Sequence, residues 1–279
     1  MVKVRQFKMV NSLGQTFDLM RKDAFFSTPS GLGLEYERNF ERAGTSFIQT
    51  EGYNSQRLIE GIMYFDGYAT YTEFKNFVAS QPLKLLYTPE STQYTIDCYI
   101  SELTKSEIQR ENRRLSCDIV LVCTSLWYIN RTLLTMSGNV ADPKQYNYDY
   151  DYNYAESKNG YIQSSNNSPN EASCIITIWG SITNPAWYLT VNNVRIQSGG
   201  VTGTIDNGHK LVINSRDNQL EIADYTSSGT YYANMYQASN FSAENFIRIP
   251  SGNFTLTVIG ENVTTVTCTL EIIEEYETV

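Results

Sequence analysis

The chain has 279 residues, with 21 lysines and arginines against 30 aspartates and glutamates, a net charge of −9 and a pI near 4.8. Nucleic-acid binders display a basic stripe, so this balance argues against sequence-specific DNA or RNA recognition, and the acidity reads simply as solubility. Length suggests two domains of roughly 150 residues each, and 21 tyrosines among recurring β-branched residues favour a mainly β protein.

The opening MVKVRQFKMVNSLG has no continuous apolar core and no small-residue cleavage pattern. No apolar run approaches the ~20 residues that a membrane helix needs. A soluble protein made in a cytoplasm, with no membrane partner, is the expectation. Residues 1–10 and 15–20 read as two strands joined at Asn11-Ser12-Leu13-Gly14. Residues 29–34 are turn-rich, after which Leu34, Tyr36 and Phe40 resume an alternation, and Arg57–Phe65 is a further strand. One helix is expected near residues 70–81. Thr70 followed by Glu73 fits a capping box, Tyr71, Phe74, Phe77 and Val78 fall on one apolar face, and Pro82 ends it. Strands at Leu85–Tyr87, Thr95–Ile100 and Leu115–Cys123 follow. In the polar connection Lys105–Arg114, Arg110, Arg113 and Arg114 face Glu107 and Glu111, as in a solvated hairpin tip.

The apolar pattern lapses from Met136 to Lys144. Tyr146, Tyr148, Tyr150, Tyr152 and Tyr154 then alternate with Asn147, Asp149, Asp151 and Asn153. The D-x-D-x-N spacing begins like a calcium loop, but Tyr154 stands where such a loop needs Gly and Gly160 where it needs Glu. A long ribbon between domains is the better reading. Gln163–Ala172 reads as a surface loop. From Cys174 onward come strands at 174–179, 187–191, 194–197, 201–205, 209–214, 219–224, 246–249, 253–259 and 265–274, with a two-residue hairpin signal at Asn207-Gly208. Many short strands imply a sandwich or jelly roll. The most strongly marked stretch is Phe246–Gly260. In it Ile247 and Ile249 precede a Pro250-Ser251-Gly252 turn, and Phe254, Leu256 and Val258 alternate with threonines, as in a core hairpin.

The residues offer little chemistry. Cys98, Cys117, Cys123, Cys174 and Cys268 include no CxxC pair and share parity with neighbouring aliphatic residues, so they read as reduced core positions. His209, the single histidine, nearly removes imidazole-based triads and His-rich metal sites; it falls just after a turn and is expected to face solvent. No phosphate or dinucleotide loop is present. Trp179 and Trp187 could stack on a sugar but are assigned to the core. A glycosidase needs only two carboxylates that meet in space, but Glu274, Glu275 and Glu277 read as a solvated acidic tail.

In order, these stretches resemble the distal tail protein of long-tailed, non-contractile bacteriophages. The likeness rests on Gly14–Leu19, Ile100–Ile108 and Leu115–Cys123 running into Leu126-Trp127-Tyr128, then on the tyrosine ribbon. It continues in Ile178-Trp179-Gly180-Ser181-Ile182-Thr183-Asn184-Pro185, His209–Asn214, Pro250-Ser251-Gly252-Asn253 and the closing Glu274-Glu275-Tyr276. Trp127, Tyr128, Trp179, Gly180, Asn184, Pro185, Pro250, Gly252 and Asn253 are its structural signature.

The resemblance implies an N-terminal β-sandwich or split-barrel-like domain with one short helix (1–135), a linker and tyrosine-rich ribbon (136–165), and a C-terminal galectin-like, jelly-roll-like β-sandwich (166–279). It implies no enzyme, cofactor or metal. It implies a hexameric ring at the virion tail tip, assembled in the host cytoplasm, through which DNA passes. Its partners would be the tail tube protein, the tail-associated hub protein and the receptor-binding protein. The alternative from another class is a carbohydrate-binding module for cell-surface attachment.

Overall fold

The computed structural model describes residues 5–34, 36–108, 114–134, 136–137, 160–217, 219–263 and 266–279. The chain divides into two compact units, Met1–Ile129 with Tyr276–Val279, and Asn130–Glu275. Each has its own hydrophobic core.

The first unit is built from β1 (Gln6–Val10), β2 (Thr16–Asp18), β3 (Ala24–Ser30), β4 (Tyr36–Ala43), β5 (Ser46–Asn54), β6 (Leu58–Phe65), α1 (Tyr68–Val78), β7 (Leu83–Thr88), β8 (Tyr94–Leu103) and β9 (Leu115–Cys123), with β10 (Trp127–Leu134) leading out of it. β1 and β2 form the expected hairpin, Lys8 opposite Asp18 and Val10 opposite Thr16. Asn11 shapes its turn by accepting from the N–H groups of Leu13 and Gln15 at 3.1 and 2.9 Å. The strand order is β2-β1-β7-β8-β9-β6-β3. In β8, residues 94–98 pair with β7 while residues 98–103 pair with β9, so this one strand joins both halves of the sheet. The ends then meet, with Phe26 donating its N–H to the Leu19 carbonyl at 2.8 Å and Met20 bridging Phe25. A sheet closed in this way has few exposed edges. Phe7, Phe26, Ile59, Met63, Leu85 and Ile96 fill it, none more than 1% exposed. The mainly β character that the sequence suggests is present, in a barrel-like form close to the β-sandwich or split barrel that the resemblance implies.

The helix is present, but its start differs from expectation. It begins at Tyr68 behind Gly67, whose φ of 95° takes the turn out of β6, and no side chain caps it. Thr70 lies inside the first turn and is buried; Glu73 binds Arg21 at 2.8 Å instead of reaching back to the backbone. Gly67 occupies the N-cap position, which glycine tolerates without a side-chain bond. The apolar face behaves as read, with Phe74 packing on Phe17 at 5.1 Å and on Phe65 at 5.3 Å between ring centroids.

The second unit comprises β11 (Met136–Ser137), β12 (Gly160–Asn166), β13 (Ser173–Trp179), β14 (Ile182–Val191), β15 (Val194–Gly200), β16 (Thr204–Ile205), β17 (His209–Asn214), β18 (Glu221–Thr226), β19 (Tyr231–Asn234), a 3-10 turn at Tyr236–Ala238, β20 (Gly252–Glu261) and β21 (Cys268–Tyr276). One layer runs β19-β18-β17-β13-β21; the other runs β11-β12-β20-β14-β15, with β16 also on β14. Ile176, Ile178, Leu211, Ile213, Leu270 and Ile272 from the first layer share a core with Ile162, Trp187, Leu189, Phe254, Leu256 and Val258 from the second. The architecture is a β-sandwich. Gly199 lies under Trp187, where an added Cβ would fall 2.5 Å from the indole, and the Trp187 Nε1–H donates to the Asn245 carbonyl at 3.2 Å.

Three readings are corrected here. Phe246–Gly260 is no hairpin: residues 246–249 are not a strand, Ile249 bridges Ala172, and β20 has β12 on one edge and β14 on the other. Phe254, Leu256 and Val258 do face the core. At Asn207-Gly208 a tight turn forms, Gly208 having φ 82° and His209 donating its N–H to the Asp206 carbonyl at 3.1 Å. Its two arms diverge, however, β16 joining β14 and β17 joining β13 and β18. Gln163–Asn166, read as loop, belongs to β12, because pairing with β20 is made by the backbone and tolerates polar side chains. The tyrosine ribbon at 146–154 lies outside the described residues, as do Arg110, Glu111 and Arg113.

All five cysteines are reduced and buried. Burial pushes the Cys98 and Cys268 thiols up to about 12, and those of Cys123 and Cys174 up to about 11. They behave as small hydrophobes, as expected from their parity.

Candidate functional site

The surface feature that sets the first unit apart is the hairpin β4–β5. Its strands pair from Tyr36 opposite Asn54 to Ala43 opposite Ser46, around Gly44 at φ 65°, with a bulge at Asn39/Phe40. It is a two-stranded sheet of its own, and every residue of β4 is exposed. Phe47 is 70% exposed, Ile48 59% and Phe40 54%. Tyr53 donates to Glu37 at 2.7 Å and Asn39 to Glu51 at 3.2 Å, so polar cross-strand pairs support the ladder. The Glu37 bond holds the Tyr53 phenol above its ordinary pKa. A lone two-stranded hairpin is marginal in water, and exposed rings beside unpaired strand edges are surface that a partner would bury.

The root of the hairpin is tied down. The Arg57 guanidinium donates to the Gly31 and Gly33 carbonyls at 3.1 and 2.6 Å and to the Glu277 carbonyl. Tyr36 donates to the Glu277 carboxylate at 2.5 Å, and the Tyr276 ring meets Tyr94 edge-on at 5.5 Å. The final residues thus act as a strap across the base of the arm. Sequence reading reached only Tyr36 and Phe40 of this element. The available signal was Gly44-Thr45 between two β-prone runs; it was weak because an arm exposed on both faces has no apolar alternation.

The expected signature residues are spread through both units and meet at no common point. Trp127 is buried 5.8 Å from Tyr87; Tyr128 donates to Asp97 and accepts from Lys84, both at 3.1 Å. Trp179 is half-buried with Lys210 5.2 Å from its ring centroid, while Trp187 is fully buried. A Cβ on Gly180 would lie 2.0 Å from the Asp206 carbonyl oxygen. Asn184, at φ 48°, accepts from the Gly203 N–H at 3.0 Å, and the Pro185 carbonyl accepts from Val201 at 2.9 Å. Pro250 leads into Gly252 at φ 97°, and Asn253 pairs with Ser165. These are turn and packing roles.

Two expectations about acids and the histidine are corrected. His209 is half-buried, with Nδ1 3.1 Å from Asp224, because β17 and β18 place the two on adjacent strands. Glu274 is buried in β21 and accepts from Arg131 at 2.7 Å and from the Asn167 N–H at 3.0 Å. Burial also pushes the Glu275 carboxyl up. The tail is a strand, and its acids are partly interior. Among the described residues, no three His, Cys, Asp or Glu side chains gather as metal ligands.

The family model for the N-terminal domain of distal tail proteins matches residues 6–124. This first-unit stretch is thus similar to the N-terminal domain of distal tail proteins. No curated protein matches in sequence. Among solved structures, a chain of the phage P2 baseplate in its activated conformation with Ca shares 18% identity and a TM-score of 0.66, covering 99% of this chain and 100% of that one. The Dit protein of phage SPP1, described as a paradigm of the hub adsorption apparatus in phages that infect Gram-positive bacteria, shares 13% identity. Its TM-score is 0.61, with 97% of this chain and 99% of that one covered. At such identities the likeness is one of fold, and it extends over both units.

Proposed function

We propose that this distal-tail-type chain is the structural hub of a phage tail tip. Its first unit would close into a ring of six around a channel for DNA and meet the tail tube and the tail-associated hub protein. Its second unit would carry the receptor-binding protein. A structural role at the tail tip is supported by the family domain together with the full-length fold shared with baseplate and hub proteins. The single observation that carries assembly is the β4–β5 arm, which places Phe40, Phe47 and Ile48 in water. Ring closure uses one patch against a different patch on the next copy, and an arm reaching away from its own barrel suits such a head-to-tail contact. The net charge of −9 suits a channel that repels phosphate. The reaction-free reading leaves the virion tail tip as its location after assembly in the host cytoplasm.

Sedimentation and negative-stain images of the purified chain at micromolar concentration test this. Sixfold rings are expected; a strict monomer overturns the hub reading, and a pore lined by basic residues in an assembled structure overturns the acidic channel.

A further inference from the structure

The second unit has a groove that the hub role does not use. It lies where the end of β17, the start of β18, the end of β19 and the 3-10 turn come together, with a volume of about 690 Å³. That is within the ~300–1,000 Å³ usual for small-ligand sites. Tyr236 lines it and is 46% exposed. Its ring lies nearly parallel to Phe246, 16° between planes at 6.3 Å, and edge-on to Phe241 at 5.7 Å. Neighbouring rings therefore brace an aromatic surface that water still reaches.

Around that surface stand neutral amides and one acid. The Asn214 Oδ1 accepts from the Arg216 N–H at 3.0 Å, and the Asn234 Oδ1 from the Tyr236 N–H at 2.8 Å. These bonds fix both amide planes while each Nδ2 keeps its donors for a ligand. Gln219 adds a third amide, and Glu221, already accepting from Tyr225 at 2.8 Å, adds a carboxylate. Among the described residues no lysine or arginine side chain lines the groove, which does not favour an anion. An aromatic face bordered by amides suits a ligand with one apolar C–H face and a rim of uncharged hydroxyls.

We propose that this groove binds an uncharged oligosaccharide of hexose or N-acetylhexosamine units, stacked on Tyr236 and held at its rim by Asn214, Gln219, Asn234 and Glu221. Such a site would let the hub touch neutral cell-surface glycan.

The test is an array of uncharged oligosaccharides probed with the labelled full-length chain, followed by calorimetric titration of the strongest hit. Saturable binding is expected. Tyr236→Ala should weaken it about tenfold or more, and Tyr236→Phe, which keeps the ring, by no more than about threefold. Phe47→Ala, on the β4–β5 arm, should leave it unchanged. Should Tyr236→Ala fail to fold, Gln219→Ala and Asn234→Ala carry the test, each weakening binding at least about threefold. The proposal is overturned if no uncharged glycan binds above background, or if folded groove variants bind as the parent does. It is also overturned if a photo-crosslinker at position 236 in assembled tails captures a polypeptide seated in the groove. The glycan-binding measurements on the purified chain do not depend on ring formation, so this site and the hub reading stand or fall separately.

Discussion

The arm β4–β5 and the strand β20 are both built from β-prone residues, yet they have opposite fates. β20 has partners on both edges and places Phe254, Leu256 and Val258 in the core. Among the described residues the arm pairs only with itself, and it leaves Phe40, Phe47 and Ile48 exposed. Strand propensity is the same kind of signal in both, because it reflects how side chains fit a pleated surface. What differs is what lies against that surface. One strand is stabilised by its own domain; the other leaves its apolar area in water.

This contrast can be broken most sharply by replacing residues 37–53 with a short Gly-Ser turn. Assembly should be lost outright by sedimentation while cooperative melting persists, because the arm contributes no residue to either core. Loss of folding instead would show that the arm belongs to its own domain.

Leu256→Ala should cost about 2–5 kcal/mol in denaturant unfolding, since a cavity opens in a strand held from both sides. A cost below about 1 kcal/mol would refute the central placement of β20.

Alkaline pH probes the buried thiols of both cores, above a background of exposed phenols such as Tyr53 that titrate there too. Thiols that titrate near 11 or 12 when folded, against about 9 unfolded, hold protons in the native state that the unfolded state has released. Stability present below pH 9 should therefore fall as pH rises from 9 towards 11, by about 1.4 kcal/mol per pH unit for each thiol. Cys268→Ala should remove one such share from the slope of stability against pH; an unchanged slope would mean that this thiol is not buried as described.

The smallest expected change is in the arm itself. Phe47→Ala should alter monomer stability by no more than about 0.5 kcal/mol, while weakening assembly in the sedimentation profile. An unaltered assembly profile would remove Phe47 from the contact.

Much of the domain architecture was legible because burial on one face leaves alternation behind. Ile176 with Ile178, Leu211 with Ile213, and Leu270 with Ile272 mark their strands and their inward faces, and the cysteines share those parities. The Phe74–Phe77–Val78 face marked the helix, though not its cap. Partner choice was less accessible. Local turn chemistry at Asn207-Gly208 was read correctly as turning, whereas at Pro250-Gly252 only a bend leads into β20, and a turn does not say whether its arms will pair with each other.

The candidate assembly site was the least visible part, because the arm satisfies none of the patterns that a core imposes. His209 and Glu274 were misplaced for a related reason: each sits on a strand whose neighbour supplies its partner, Asp224 in one case and Arg131 in the other. By itself the sequence determined that this is a mainly β protein with reduced cysteines in its strands, since those properties follow from composition and local period. Only tertiary structure decided that β20 lies between two strands and β4–β5 stands free. Strand pairing joins residues far apart in the chain, and whether an apolar side chain is buried depends on what those distant residues place against it.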